Sequence, residues 1–172
     1  NTSTSTFSLA AKVDYTTGVV PLSVAIGDIN NDGKMDLAVA NYSSASVSTF
    51  LNTSTSTFSL AVKVDYTTGT GPYSVAIGDL NNDGKLDLVV ANYNIGAGTT
   101  ISTFLNTSTS TFSLAVKVDY TTGTGPYSVA IGDLNNDGKL DLVVANYNIG
   151  AGTTISTFLN TSTSTFSLAV KV

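Results

Sequence analysis

A 54-residue period, four strand-like segments within each period and no stretch of helical periodicity predict an all-β chain. The expected architecture is a series of tandem four-stranded antiparallel blades of β-propeller type, closing or extending through strand exchange between subunits. Residues 52–105 and 106–159 are identical over 54 positions, and residues 1–51 are a close variant three residues shorter. A further copy starts at Asn160 and runs to Val172. The units are thus 1–51, 52–105 and 106–159, with 160–172 opening a fourth. A β-solenoid is the alternative, but its coils usually run shorter than this period.

Within one unit the elements follow in order. Residues 72–79 (PYSVAIGD) form a short strand dense in small side chains. Residues 86–93 (LDLVVANY) are mostly apolar, as suits a strand buried on both faces. A turn at 94–98 leads to residues 100–105 (TISTFL), β-branched and aromatic. The polar run 106–110 leads to a fourth strand over 112–120 (FSLAVKVDY). There Phe112, Leu114, Val116, Val118 and Tyr120 are expected on one face, and Ser113, Ala115, Lys117 and Asp119 on the other. One charged face suits the outer edge of a sheet, where lysine discourages unwanted pairing. Residues 7–15 match this fourth strand but precede any complete blade, and residues 166–172 repeat it at the other end. A spare outer strand can pair with a neighbouring subunit. Two chains closing a six-bladed ring, a head-to-tail filament and a slice of a longer propeller all follow from this.

Composition excludes several classes of function. The chain has 172 residues, 42% hydrophobic, and no Cys, His, Trp, Glu, Gln or Arg. That rules out disulfides, zinc–thiolate sites, a serine triad and paired glutamates, so the chain is read as non-enzymatic. Without arginine, and with a pI near 4.2, nucleic acid is a poor partner. No apolar run approaches the roughly 20 residues that span a bilayer. No signal peptide stands at Asn1, so the chain is expected to be mature, a fragment or not exported.

The net charge of −5 is concentrated at three points, because nine of the twelve aspartates lie in three nine-residue loops. The loops run from Asp28 to Asp36, Asp79 to Asp87 and Asp133 to Asp141. Each carries oxygen-bearing side chains at positions 1, 3, 5 and 9 and glycine at position 6. That is the arrangement a small loop needs to wrap a hard cation, and oxygen-only donors favour Ca2+ over zinc or copper. The side-chain ligands expected are Asp28, Asn30, Asp32 and Asp36; Asp79, Asn81, Asp83 and Asp87; and Asp133, Asn135, Asp137 and Asp141. The carbonyls of Lys34, Lys85 and Lys139 would supply position 7, and Gly33, Gly84 and Gly138 the sharp turn. An EF-hand is excluded, since Val39, Val90 and Val144 stand where it needs a glutamate. The competing reading is an Asx-rich turn without metal.

These residues resemble a known family. The segment Pro72 to Asp79, the loop to Asp87 and the following residues 88–92 (LVVAN) are similar to the FG-GAP or VCBS repeat, the blade of integrin α-subunit propellers and of many bacterial surface proteins. The resemblance covers all three units and implies a structural calcium ion in the loop joining the first two blade strands. The Phe-Gly and Gly-Ala-Pro signatures are not intact, so integrin-like ligand recognition is not implied.

Asn1, Asn52, Asn106 and Asn160 each begin Asn-Thr-Ser, and Asn41 begins Asn-Tyr-Ser, which makes five glycosylation sequons at what are expected to be exposed turns. Their modification is conditional on export to a glycosylating compartment. Tyr73, Tyr93 and their equivalents are read as sheet-interface packing ahead of a sugar-binding platform. Lys12, Lys63 and Lys117 are read as solvated edge charges. The function expected is a calcium-stabilised extracellular or cell-surface repeat with a structural role in an appendage, matrix or fibre, self-associating through its outer strands. The alternative is a propeller-type module binding carbohydrate or protein in adhesion.

Overall fold

A computed structural model of the chain describes residues 10–148, 154–162 and 167–168. Three antiparallel sheets follow one another along the sequence. The first contains β1 (Pro21–Gly27), β2 (Asp36–Asn41), β3 (Ser46–Phe50) and β4 (Val64–Thr67), paired in that order. The second contains β5 (Pro72–Gly78), β6 (Asp87–Asn92), β7 (Thr100–Phe104) and β8 (Val118–Thr121). The third contains β9 (Pro126–Gly132), β10 (Asp141–Asn146) and β11 (Thr154–Phe158). The last strand of the first two sheets is supplied by the repeat that follows, so structural unit and sequence repeat are out of phase.

β6 is buried along its whole length, which is why its sequence reads as a continuous apolar run and not as an alternation. The sheets stack through two apolar layers. In the first, Ile29, Ala38, Ala40 and Val47 of the first sheet share a cluster with Leu88, Val90 and Phe104 of the second. In the next, Leu80, Val89, Ala91 and Ile101 of the second sheet share one with Leu142, Val144 and Phe158 of the third. Small alanines face larger leucine, valine and phenylalanine side chains, which lets the layers interdigitate.

The fourth strand departs from expectation. Pairing runs only over Val118–Thr121, and residues 112–117 are not strand. β7 ends at Phe104, and the turn after it doubles back, with Asn106 bridging Leu114 and the Ala115 amide donating to the Leu105 carbonyl at 2.7 Å. Residues 112–115 therefore pair with their own turn, and the expected alternation breaks at Val116, which is exposed instead of facing the core. The expected N-terminal outer strand over 7–15 is not formed at residues 10–15, and residues 7–9 lie outside the described residues, as do 166 and 169–172. The turn after β6 contains a short 3-10 turn, Asn94–Gly96, with Asn94 and Ile95 at positive φ.

Candidate metal centre

The three loops fold alike because each is closed by its own side chains. The first aspartate accepts two backbone amides: Asp28 takes those of Asp32 at 3.0 Å and Gly33 at 2.8 Å, and Asp79 takes those of Asp83 at 3.0 Å and Gly84 at 2.8 Å. Asp133 repeats the pattern with Asp137 and Gly138. The Asn30, Asn81 and Asn135 amide oxygens accept the backbone N–H of the fifth-position aspartate. The fifth aspartate accepts the seventh residue's amide, at 3.0 Å in all three loops. Gly33, Gly84 and Gly138 have φ of +83°, +82° and +82°, where a Cβ is penalised. Asn31, Asn82 and Asn136, two residues before each glycine, are also left-handed, which the motif did not announce.

The ninth position differs in kind. Asp36, Asp87 and Asp141 are fully buried. Asp87 accepts the Leu80 amide at 2.8 Å and the Asn106 amide at 2.7 Å, tying its loop to the turn after β7. Asp36 does the same with Ile29 and Asn52, and Asp141 with Leu134 and Asn160. Burial pushes the Asp87 carboxyl up to about 6; the two amide bonds pull it down, and the charges of Asp83 and Asp79 push it further up. Burial likewise raises Asp36, against the amides of Asn52 and Ile29. Asp32 goes the other way: desolvation raises it, but hydrogen bonds from the Lys34 side chain and backbone and from Asn30, with the Lys34 charge, together outweigh that and lower it. The loop lysines sit on the fifth aspartates, with Nζ–Oδ2 distances of 3.1 Å for Lys34, 3.5 Å for Lys85 and 3.8 Å for Lys139.

The donor set can be tested against a cation. Each loop offers three carboxylates, one amide oxygen and one main-chain carbonyl, with no nitrogen or sulfur ligand, which suits a hard divalent ion. Each carboxylate oxygen that accepts one amide retains a second lone pair. Among the described residues, no group of three acidic side chains lies close enough together to hold a metal. An ion would have to draw the residues at positions 1, 3, 5, 7 and 9 of each loop closer together than they stand here.

Among the described residues, the sequon asparagines are buried or half-buried. Asn106 and Asn160 are buried, and each side-chain nitrogen uses both its hydrogens: Asn106 donates to the Ile29 carbonyl at 2.7 Å and to Leu86 at 3.1 Å, and Asn160 to Leu80 and Leu140 at the same distances. The exposed-turn expectation is corrected for these two: each side chain links adjacent sheets, and a sugar on that nitrogen would leave it one hydrogen for the two bonds. Asn41 is also buried, donating to Ser46 and Ser48 and accepting from Gly18. Asn52 is half-buried and donates to the Met35 carbonyl at 3.0 Å. Asn1 lies outside the described residues.

The tyrosines form one cluster that crosses the sheets. Tyr73 and Tyr127 stand with ring centroids 4.1 Å apart and their hydroxyls 2.6 Å apart, and Tyr93 packs edge-on against both. Tyr127 and Tyr147 form its exposed rim. Lys12, Lys63 and Lys117 are ion-paired to Asp14, Asp65 and Asp119. Asp65 and Asp119 also accept the Ser48 and Ser102 hydroxyls of the adjoining strand, at 2.5 and 2.7 Å, a cross-strand link the sequence did not announce.

Among the described residues, no helix is long and apolar enough to cross a membrane. No curated protein matches the chain. A profile described as the FG-GAP-like repeat matches residues 1–39, 28–90 and 86–144. With three sheets built on one repeated strand–loop–strand unit, and that profile spanning most of its length, the chain belongs to the FG-GAP-like repeat family.

Proposed function

We propose that the protein is a non-catalytic, calcium-stabilised repeat of the extracellular space or cell surface, with a structural role in an assembled appendage, matrix or fibre. The observation that carries this reading is the ninth-position aspartate. In triplicate, a buried carboxylate ties its own loop to the turn after the third strand. Holding an ionised carboxylate there is costly, and a divalent cation shared with positions 1, 3 and 5 offsets the cost. When bound, the ion supplies charge neutralisation and a rigid corner; the chain's own residues orient the strands that leave that corner. Two of the three units are identical, which suits a scaffold made of repeated parts better than a unique recognition pocket. Blades of propeller type and exchange of outer strands belong to the same reading.

Calorimetric titration of chelator-treated protein with Ca2+ tests it, together with thermal unfolding in Ca2+ and in EGTA. Binding at three sites and a melting temperature lowered by EGTA are expected. At about 100-fold excess over Kd, each filled site adds about 2.7 kcal/mol. Identical melting curves in the two buffers would refute a structural ion. The exposed rings of Tyr127 and Tyr147 favour a second reading, adhesion through carbohydrate. Saturable binding on a glycan array, lost in Tyr127→Ala, would support it.

A further inference from the structure

The two outer faces of the stack are copies of faces that pair inside it. Val75 and Val129, each facing the sheet before it, are 6% and 7% exposed, while their equivalent Val24 is 59% exposed. On the opposite side, Ile29 and Leu80 are 1% exposed against 47% for Leu134, and Val47 and Ile101 are 0% against 65% for Ile155. The two faces thus carry repeat equivalents, apolar at each position compared although Leu22 stands where Tyr73 and Tyr127 stand, and they differ in their covering.

The internal junctions also share a set of polar contacts. Asn31 donates to the Gly84 carbonyl at 3.1 Å, and Asn82 to Gly138 at 3.3 Å. The Val75 amide donates to the Ser23 hydroxyl at 3.2 Å, and the Val129 amide to Ser74 at 3.3 Å. Asn106 donates to the Ile29 carbonyl and Asn160 to Leu80, both at 2.7 Å. At each junction the segment entering the next sheet, 64–67 or 118–121 (both VDYT), first pairs with the last strand of the sheet behind it. Residues 13–16 are the same VDYT, and among the described residues they pair with no strand and none pairs on the outer edge of β11.

We propose that the third sheet of one copy docks on the first sheet of a second copy by repeating this internal junction, with residues 13–16 of the second copy added as the fourth strand on β11. This gives the assembly reading above its partner and its surface, and it does not depend on the loops holding calcium. The register follows from the two internal cases: Val13 opposite Thr157, Asp14 opposite Ser156, Tyr15 opposite Ile155 and Thr16 opposite Thr154. Asp14 then accepts the Ser156 hydroxyl, as Asp65 and Asp119 accept those of Ser48 and Ser102. Asn136 donates to the Gly33 carbonyl of the next copy, the next copy's Val24 amide to Ser128, and its Asn52 side chain to the Leu134 carbonyl. The contact is heterologous, so it either closes into a ring or propagates.

The test uses the 172-residue chain in Ca2+. Sedimentation velocity from about 1 to 100 μM should show association that Ile155→Asp weakens about a hundredfold or more, since an aspartate carboxylate then faces a closed apolar layer. Ile155 is exposed in the single copy, so the variant should keep the wild-type melting temperature measured at the lowest concentration. The chain has no cysteine. Mixing one chain bearing Val13→Cys with another bearing Thr157→Cys under mild oxidation should therefore give a disulfide-linked heterodimer, because opposed residues in a sheet lie within disulfide range. Association that Ile155→Asp leaves intact, with no 13–157 crosslink, overturns this junction while leaving the assembly reading standing. A monomer at every concentration overturns both.

Discussion

Replacing Asn106 by alanine should cost more stability than replacing its repeat equivalent Asn52, by the value of one hydrogen bond between sheets. Both side chains accept a local backbone amide, from Ser108 and Ser54, at 3.0 Å. Both also donate to a carbonyl beside their own sheet, Leu86 at 3.1 Å and Met35 at 3.0 Å. Asn106 alone makes a further bond, to the buried Ile29 carbonyl of the sheet before it, at 2.7 Å. Its loss strands that carbonyl away from water, worth about 1–3 kcal/mol. With an m-value of about 2 kcal/mol/M in urea, Asn106→Ala should lower the denaturation midpoint by roughly 0.5–1.5 M beyond Asn52→Ala, with m unchanged. The measurement belongs at the lowest workable protein concentration, where Asn52 has no second copy to meet. Equal midpoints, or a larger loss from Asn52→Ala, would refute the inter-sheet role.

Other outcomes follow from the same structure. Leu88→Ala removes a fully buried side chain from the layer between the first two sheets, and thermal unfolding should register a loss of about 2–5 kcal/mol; a loss under 1 kcal/mol would mean the layer is not packed as described. Gly84→Ala should cost only the left-handed conformation, about 1–2 kcal/mol, because its added Cβ meets nothing within 4 Å. Gly98→Ala should be worse, since there a Cβ falls 1.8 Å from the Asn92 carbonyl oxygen; circular dichroism melts that rank the two in the opposite order would contradict the turn geometry. The Asp65 carboxyl feels a desolvation that raises it, but the Lys63 ammonium and Ser48 hydroxyl outweigh that and hold it below the ordinary value of 3.8. A folded value below the unfolded one gives stability that is present above 3.8 and lost as pH falls through the folded value. Wild type should therefore lose slightly more stability than Asp65→Asn on acidification from about pH 5 to about pH 2, the difference kept small by solvent screening. Parallel acid titrations of the two proteins would contradict this.

Strand order and loop position were legible because they depend on residues close together in sequence. The apolar run of β6 and the β-branched run of β7 announce themselves, and glycine at position 6 marks each bend. What escaped depends on a neighbouring sheet. Asn106 looks like any polar turn residue until the Ile29 carbonyl arrives from the preceding sheet to receive its amide. The ninth-position aspartates look equivalent to the first and fifth, yet packing buries them and leaves the others near the surface. The alternation over 112–120 exists in the sequence alone: β7 is only five residues long and offers pairing partners for the last part, which leaves Val116 exposed. The tyrosine cluster draws rings from more than one sheet, and no single repeat contains it.

Because each fourth strand is encoded at the head of the following repeat, the genetic unit and the architectural one are offset. Within the exact repeats, residues 52–159, inserting or deleting 54 residues at any point, even mid-strand or mid-loop, returns the same sequence of parts with one more or one fewer whole sheet. Unequal recombination between such repeats needs no favoured breakpoint, so a lineage carrying this chain can lengthen or shorten it without passing through a misfolded intermediate.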